Sequence, residues 1–223
     1  MKKRDRNLLD HLEEEVQFLS DLGASFVFAT EDSRNQRDAS LRALEEEILR
    51  CRLCSLATCR KNAVPGEGNF QALLMFVGEA PGADEDEQGR PFVGKAGQLL
   101  TRIIEAMKFK REEVFITNIV KCRPPQNRTP HREEVDKCRD YLLRQIKMIS
   151  PKVIVSLGKV ATDFFVSSGA GMTALRGTFH HFGAILVMPT FHPSYVLRNE
   201  GNKNIKKLVW QDMQRVIAIL GKK

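Results

Sequence analysis

The apolar segments along the chain predict an α/β fold in which a parallel sheet is covered by helices on both faces. Two observations carry this. The runs Ala72–Val77, Val114–Val120, Val153–Leu157 and Ala184–Met188 are of strand length and essentially apolar throughout, as strands buried on both sides must be. They also alternate with segments of helical periodicity, the order of elements found with parallel sheets.

Element by element, residues 1–40 read as a separate appendage. Leu8, Leu9, Leu12, Val16, Leu19 and Leu22 fall near a helical period, with Glu13, Glu14 and Glu15 on other faces, and the polar stretch Glu31–Asp38 reads as a linker. From Leu41 the order becomes regular, so 41–223 is taken as the body. Leu41–Arg50 is a short helix leading into Cys51. The first strand is stopped by Gly78. Gly97–Met107 is helical, Val114–Val120 is the second strand and Glu133–Ile149 the next helix. Val153–Leu157 is followed by a helix after Gly158. Ala184–Met188 is the last strand, and Asn204–Leu220 the closing helix. Ligands of such sheets bind at the carboxyl ends of the strands, which directs attention to Gly78–Gly94, Asn118–Asn127 and Pro189–Arg198.

With 223 residues, 42% hydrophobic and 28% charged, the chain suits one generous domain or two small ones and is not disordered. Its net charge is +7. Residues 1–40 carry −3 and residues 41–223 carry +10, so the basic character belongs to the body. That permits a polyanionic partner without identifying one. No apolar run approaches the ~20 residues of a membrane span, and no signal-type stretch follows Met1-Lys-Lys-Arg4. A soluble, cytoplasmic protein is expected.

Five cysteines in a chain read as cytosolic argue for metal binding or idle thiols over disulfides. Cys51 and Cys54 form a Cys-x2-Cys pair, whereas Cys122 and Cys138 are widely spaced. Four thiolates suit zinc or an iron–sulfur cluster, and spacing does not choose between them. Cys59 best fits an idle cysteine in a core position. The segment Gly89–Ala96 approaches a phosphate-binding P-loop but lacks the final Ser or Thr, having Ala96, and begins in a polar loop. A nucleoside triphosphatase is therefore rejected. The acidic run Asp84–Glu87 reads either as magnesium ligands of a phosphodiesterase or as a solvated loop. A non-catalytic iron–sulfur or zinc nucleic-acid-binding protein is a further alternative.

Taken in order, Cys51-Arg-Leu-Cys54, Val64-Pro-Gly-Glu-Gly68, Gly78-Glu-Ala-Pro-Gly82, Gly89-Arg-Pro-Phe-Val-Gly94, Thr117-Asn118, Lys121-Cys-Arg-Pro-Pro125 and Phe191-His-Pro-Ser-Tyr195 resemble the family 4 uracil-DNA glycosylases. The resemblance runs from about Leu41 to the last helix. It implies a three-layer α/β/α sandwich around a central four-stranded parallel sheet, and a [4Fe–4S] cluster on Cys51, Cys54, Cys122 and Cys138. It also implies a monomer that excises uracil from single- or double-stranded DNA and leaves an abasic site. The uracil pocket implied is Gly78, Glu79, Ala80, Glu85, Phe92, Asn118 and His192: Phe92 stacks on the flipped base, Asn118 reads it, and Glu85 helps exclude thymine. His192 stabilises departing uracil O2, and Glu79 acts on water or the sugar cation. Pro81, Ser194 and Arg198 are the implied DNA contacts, with Val196 or Leu197 as the wedge. The basic, histidine-containing insertion of covalent-trapping relatives is missing from Val93–Gly97, so ordinary turnover is expected.

Overall fold

The structure is a computed structural model and describes residues 31–222; the helix expected over Leu8–Leu22 lies outside them. Ala39–Lys223 forms a compact unit of its own. The first described element, α1 (Glu31–Arg50), corrects the linker reading of Glu31–Asp38. That segment is polar but holds neither Gly nor Pro, so nothing breaks a helix already set by the apolar stripe Leu41, Leu44 and Ile48. All three of these are buried.

The sheet contains β1 (Glu67–Gly68), β2 (Leu74–Gly78), β3 (Phe115–Asn118), β4 (Val153–Leu157), β5 (His180–Phe182) and β6 (Ile185–Thr190), in the order β1-β3-β2-β4-β6-β5. The four expected strands, β3, β2, β4 and β6, form its parallel centre. The short strands β1 and β5 pair antiparallel at the two edges and extend the sheet to six. At two and three residues they are too short to leave a periodic signal.

Alternation along the central strands divides the core. Met75, Val77, Phe115, Ile154 and Val187 face one side, where they pack with α1, α5 (Arg132–Ile149) and α6 (Lys159–Phe165). Leu74, Phe76, Ile116, Val153, Val155 and Met188 face the other, against α4 (Lys95–Ala106) and α9 (Lys203–Leu220). The result is the three-layer α/β/α sandwich. Four shorter helices complete the chain: α2 (Leu56–Cys59), α3 (Ala83–Gln88), α7 (Met172–Leu175) and α8 (Pro193–Arg198). Among the described residues, no helix is long and apolar enough to cross a membrane.

Candidate active site and cysteine pocket

β2 and β3 run parallel and end side by side, with Gly78 opposite Asn118. The pairing continues past the strands, where Ile119 N donates to Gly78 O at 2.9 Å and Val120 N to Glu79 O at 3.2 Å. Asn118 is therefore held by backbone on both sides and is 1% exposed. Its Oδ1 is one of two buried side-chain atoms among the described residues without a hydrogen-bond partner. Leaving such an acceptor unpaired costs about 1–3 kcal/mol. Gly78 makes room for it, since a Cβ there would fall 2.4 Å from Asn118 Oδ1 and 2.5 Å from Phe92 Cζ. The amide oxygen and the Phe92 ring thus converge over one glycine.

Phe92 has φ of +51°, a left-handed conformation that a bulky residue adopts only when its surroundings impose it. Three features impose it here. Gly97, at the start of α4, lets the helix come so close that a Cβ would sit 1.9 Å from Phe92 O. Glu85 accepts from Val93 N and Gly94 N at 2.9 Å each, and from Gly82 N at 3.1 Å. Arg111 donates to Pro91 O, to Thr101 Oγ1 at 3.1 Å and to Glu67 Oε1 at 2.7 Å. The Glu85 carboxylate thus staples two loops together beside Phe92. Arg111 was missed by sequence reasoning, because nothing in its neighbourhood signals a partner twenty residues away.

His192 follows β6 and caps α8, its ring centroid 5.8 Å from that of Phe92. Ser194 N donates to His192 Nδ1 at 3.1 Å, and Ser194 Oγ lies 2.8 Å from the same atom. A backbone N–H can only donate, so Nδ1 is an acceptor and the neutral ring carries its proton on Nε2. Burial, with a smaller contribution from the Arg198 charge, pulls the His192 pKa down to about 4. The strand end before it is pinned by Thr190 Oγ1, which donates to Asp212 Oδ2 at 2.6 Å. Asp212 is in turn ion-paired to Arg176.

Glu79 is half-buried, and burial raises its pKa while a hydrogen bond from Thr129 opposes the shift. Ala80 is also half-buried beside it, and Pro81 is buried. Arg198 is exposed on α8 and Ser194 is half-buried. Val196 is 3% exposed, packed with Ile205 and Val209, which removes it as a wedge.

The acidic run is neither a loop nor a magnesium site. It forms α3, begun at Gly82 and ended at Gly89 in the left-handed conformation. Glu85 turns to the loops above, whereas Asp86 accepts from Lys61 N and Asn62 N and Glu87 pairs with Lys61 Nζ. Among the described residues these carboxylates form no group that could hold a metal ion.

The four cysteines singled out do meet. Cys51, Cys54, Cys122 and Cys138 line one pocket with Ile48, Ala57 and Tyr141, while Cys59 is exposed at the end of the short helix α2, which corrects its reading as a core residue. Among the described residues, no three His, Cys, Asp or Glu side chains form a group suited to a single metal ion. The donors are all sulfur, and N–H groups are aimed at them: Arg60 Nη1 lies 2.8 Å from Cys122 Sγ, and Lys121 N lies 3.3 Å from Cys138 Sγ. Arg60 also donates to the carbonyls of Leu49 and Cys51 at 2.9 Å. Burial pushes the Cys122 thiol up and Cys138 to about 11. A bound cation deprotonates the thiols that hold it, and the all-sulfur donor set with N–H groups aimed at it fits an iron–sulfur cluster.

A parallel sheet with a buried amide, a phenyl ring and an imidazole gathered at its strand ends, beside a four-thiol pocket, defines an α/β protein whose candidate site lies at the carboxyl edge of the sheet. The profile of the uracil-DNA glycosylase superfamily matches residues 65–214. A type-4 uracil-DNA glycosylase of Thermotoga maritima is 44% identical over 83% of this chain and 97% of its own. Those of Sulfurisphaera tokodaii and Saccharolobus solfataricus are each 45% identical, over 79% and 82% of this chain and 83% and 88% of theirs. The chain belongs to the type-4 uracil-DNA glycosylases.

The His192 geometry sets an expectation for NMR. The imidazole should titrate near pH 4 rather than near ~6.5, with Nε2 protonated above that. Because the unfolded chain takes up this proton first, its contribution to stability is present above about pH 6.5 and is lost as pH falls towards 4. A midpoint near ~6.5 in the folded protein would contradict this.

Proposed function

We propose that this chain hydrolyses the N-glycosidic bond of deoxyuridine in single- or double-stranded DNA, releasing uracil and leaving an abasic site, as a monomer. One observation carries the reading: the buried, unpartnered Oδ1 of Asn118 beside Phe92 and Gly78. An acceptor kept empty at the cost of an unmade hydrogen bond is suited to a ligand N–H.

The base must leave the stack before its glycosidic bond is reachable. Phe92 offers it a flat apolar face, already fixed by its loop. Asn118 Oδ1 accepts from uracil N3–H while the amide nitrogen donates to O4; cytosine presents the opposite pattern at both positions. As the C1′–N1 bond breaks, positive charge grows on the sugar and negative charge on uracil O2. His192 Nε2–H is a neutral, preoriented donor for that oxygen, worth about 2.7–4 kcal/mol by analogy with oxyanion holes. Glu79 orients the attacking water or opposes the sugar cation, and water oxygen replaces N1 on C1′. Ser194 and Arg198 grip the flanking phosphates, with Lys203, Lys206 and Lys207 adding positive charge nearby.

Cys51, Cys54, Cys122 and Cys138 would hold a [4Fe–4S] cluster. The chemistry it supplies is cross-linking, joining the Cys51–Cys54 segment, the loop after β3 and α5.

The purified protein should convert a uracil-containing oligonucleotide into an alkali-labile one, with no strand break before alkali. Absence of that break with folded, iron-loaded protein would refute the reading. His192→Ala should lower kcat by about 100- to 1,000-fold with little change in DNA affinity. Gly78→Ala should be as damaging, because its methyl would occupy the space shared by Asn118 and Phe92; the same assay checks it.

A further inference from the structure

Between Asn118 and the cysteine pocket lies a side chain that the proposed reaction does not use. Lys121 is 1% exposed. Its Nζ donates to Thr117 Oγ1 at 2.6 Å, Gln145 Oε1 at 2.7 Å and Asn118 O at 2.8 Å, so all three ammonium N–H donors have an acceptor. Two of these acceptors belong to the end of β3, including the residue read as the uracil recogniser, and the third lies on α5. The lysine backbone completes the tie, with N donating to Cys138 Sγ at 3.3 Å and O accepting from Val64 N at 2.7 Å. Cys138 and Gln145 sit seven residues apart on α5, two turns along one face. Gln145 Nε2 and Thr117 Oγ1 both donate to Pro65 O, at 2.9 and 2.8 Å. Lys121 is therefore bonded to β3, α5 and the segment before β1 at once, and is followed directly by Cys122.

None of the Nζ acceptors is a carboxylate. The ionisable groups that face it are Cys138 and Cys122, two of the four thiols of the pocket.

We propose that Lys121 is a positioning residue that makes the Asn118 turn and the cysteine pocket one mechanical unit, so that metal occupancy of the pocket sets the geometry in which Asn118 meets the base. The proposal rests on the reading of Asn118 given above.

The test uses the full-length, iron-loaded chain. Iron and sulfide per chain, the visible thiolate-to-iron absorption, and affinity for two oligonucleotides are measured together. One oligonucleotide carries hydrolysis-resistant 2′-fluoro-2′-deoxyuridine and the other thymidine. Lys121→Met should retain iron, shift the visible band, and lose about tenfold of the uracil-over-thymine preference, as expected for a displaced hydrogen-bonding group. Wild-type preference at wild-type iron content would overturn the proposal. If Lys121→Met does not fold or load, Gln145→Leu decides, since it keeps the lysine and every thiol. A smaller loss of preference at full iron content supports the tie, and an unchanged preference overturns it. The preference of the wild-type protein, measured alongside, reports on the reading of Asn118 itself, so the two failures are told apart.

Discussion

The parallel pairing of β2 and β3 is the constraint on which the rest depends. It carries Gly78 and Asn118 to the same level at the carboxyl edge of the sheet, and the backbone bonds beyond the strands hold both rigidly. A parallel sheet buried on both faces gives no freedom to relax such an edge. An amide oxygen without a partner can persist there because the packing that strands it is worth far more than the missing bond. The site is built from that imbalance, in which a small local cost leaves an acceptor vacant at a fixed point.

The remaining groups reach the same point by different means. Phe92 is brought in by a loop under backbone strain, restrained by Glu85, Arg111 and the close approach of α4 at Gly97. His192 arrives rigidly because it caps its own helix and follows a strand end pinned through Asp212. The same cap that orients the ring also sets its tautomer. A neutral imidazole suits a leaving group that gains negative charge, since its N–H is already in place and needs no proton uptake. The thiol pocket lies on the opposite side of the Asn118 turn, joined to it through Lys121.

Much of this was legible from residue order. Val153–Leu157 appears at its expected bounds because a buried parallel strand writes itself as an unbroken apolar run. The site positions were legible through co-ordered motifs, since Asn118, Phe92 and His192 follow strands or Gly-rich turns whose backbone needs special residues. Other features were not. Asp84–Glu87 looks like a loop or an ion site, and its helix depends on backbone partners as far back as Lys61 and Asn62, some 25 residues earlier. Glu31–Asp38 has a linker's composition but a helix's freedom from Gly and Pro. Val196 looked available as a wedge until Ile205 and Val209 covered it. For Asp84–Glu87 and Val196 the deciding partners lie on other elements, whereas Glu31–Asp38 is decided by the apolar stripe that follows it on the same helix.

The central claim is that the base is read by the Asn118 amide in a fixed orientation, and exchanging that amide for a carboxylate tests it most directly. Asn118→Asp removes the donor to uracil O4 and presents an acceptor to the cytosine amino group instead. Base release from matched uracil and cytosine oligonucleotides, followed by chromatography of the free base, should show uracil release falling steeply and cytosine release becoming detectable. Uracil release at the wild-type rate, with no cytosine, would contradict the account.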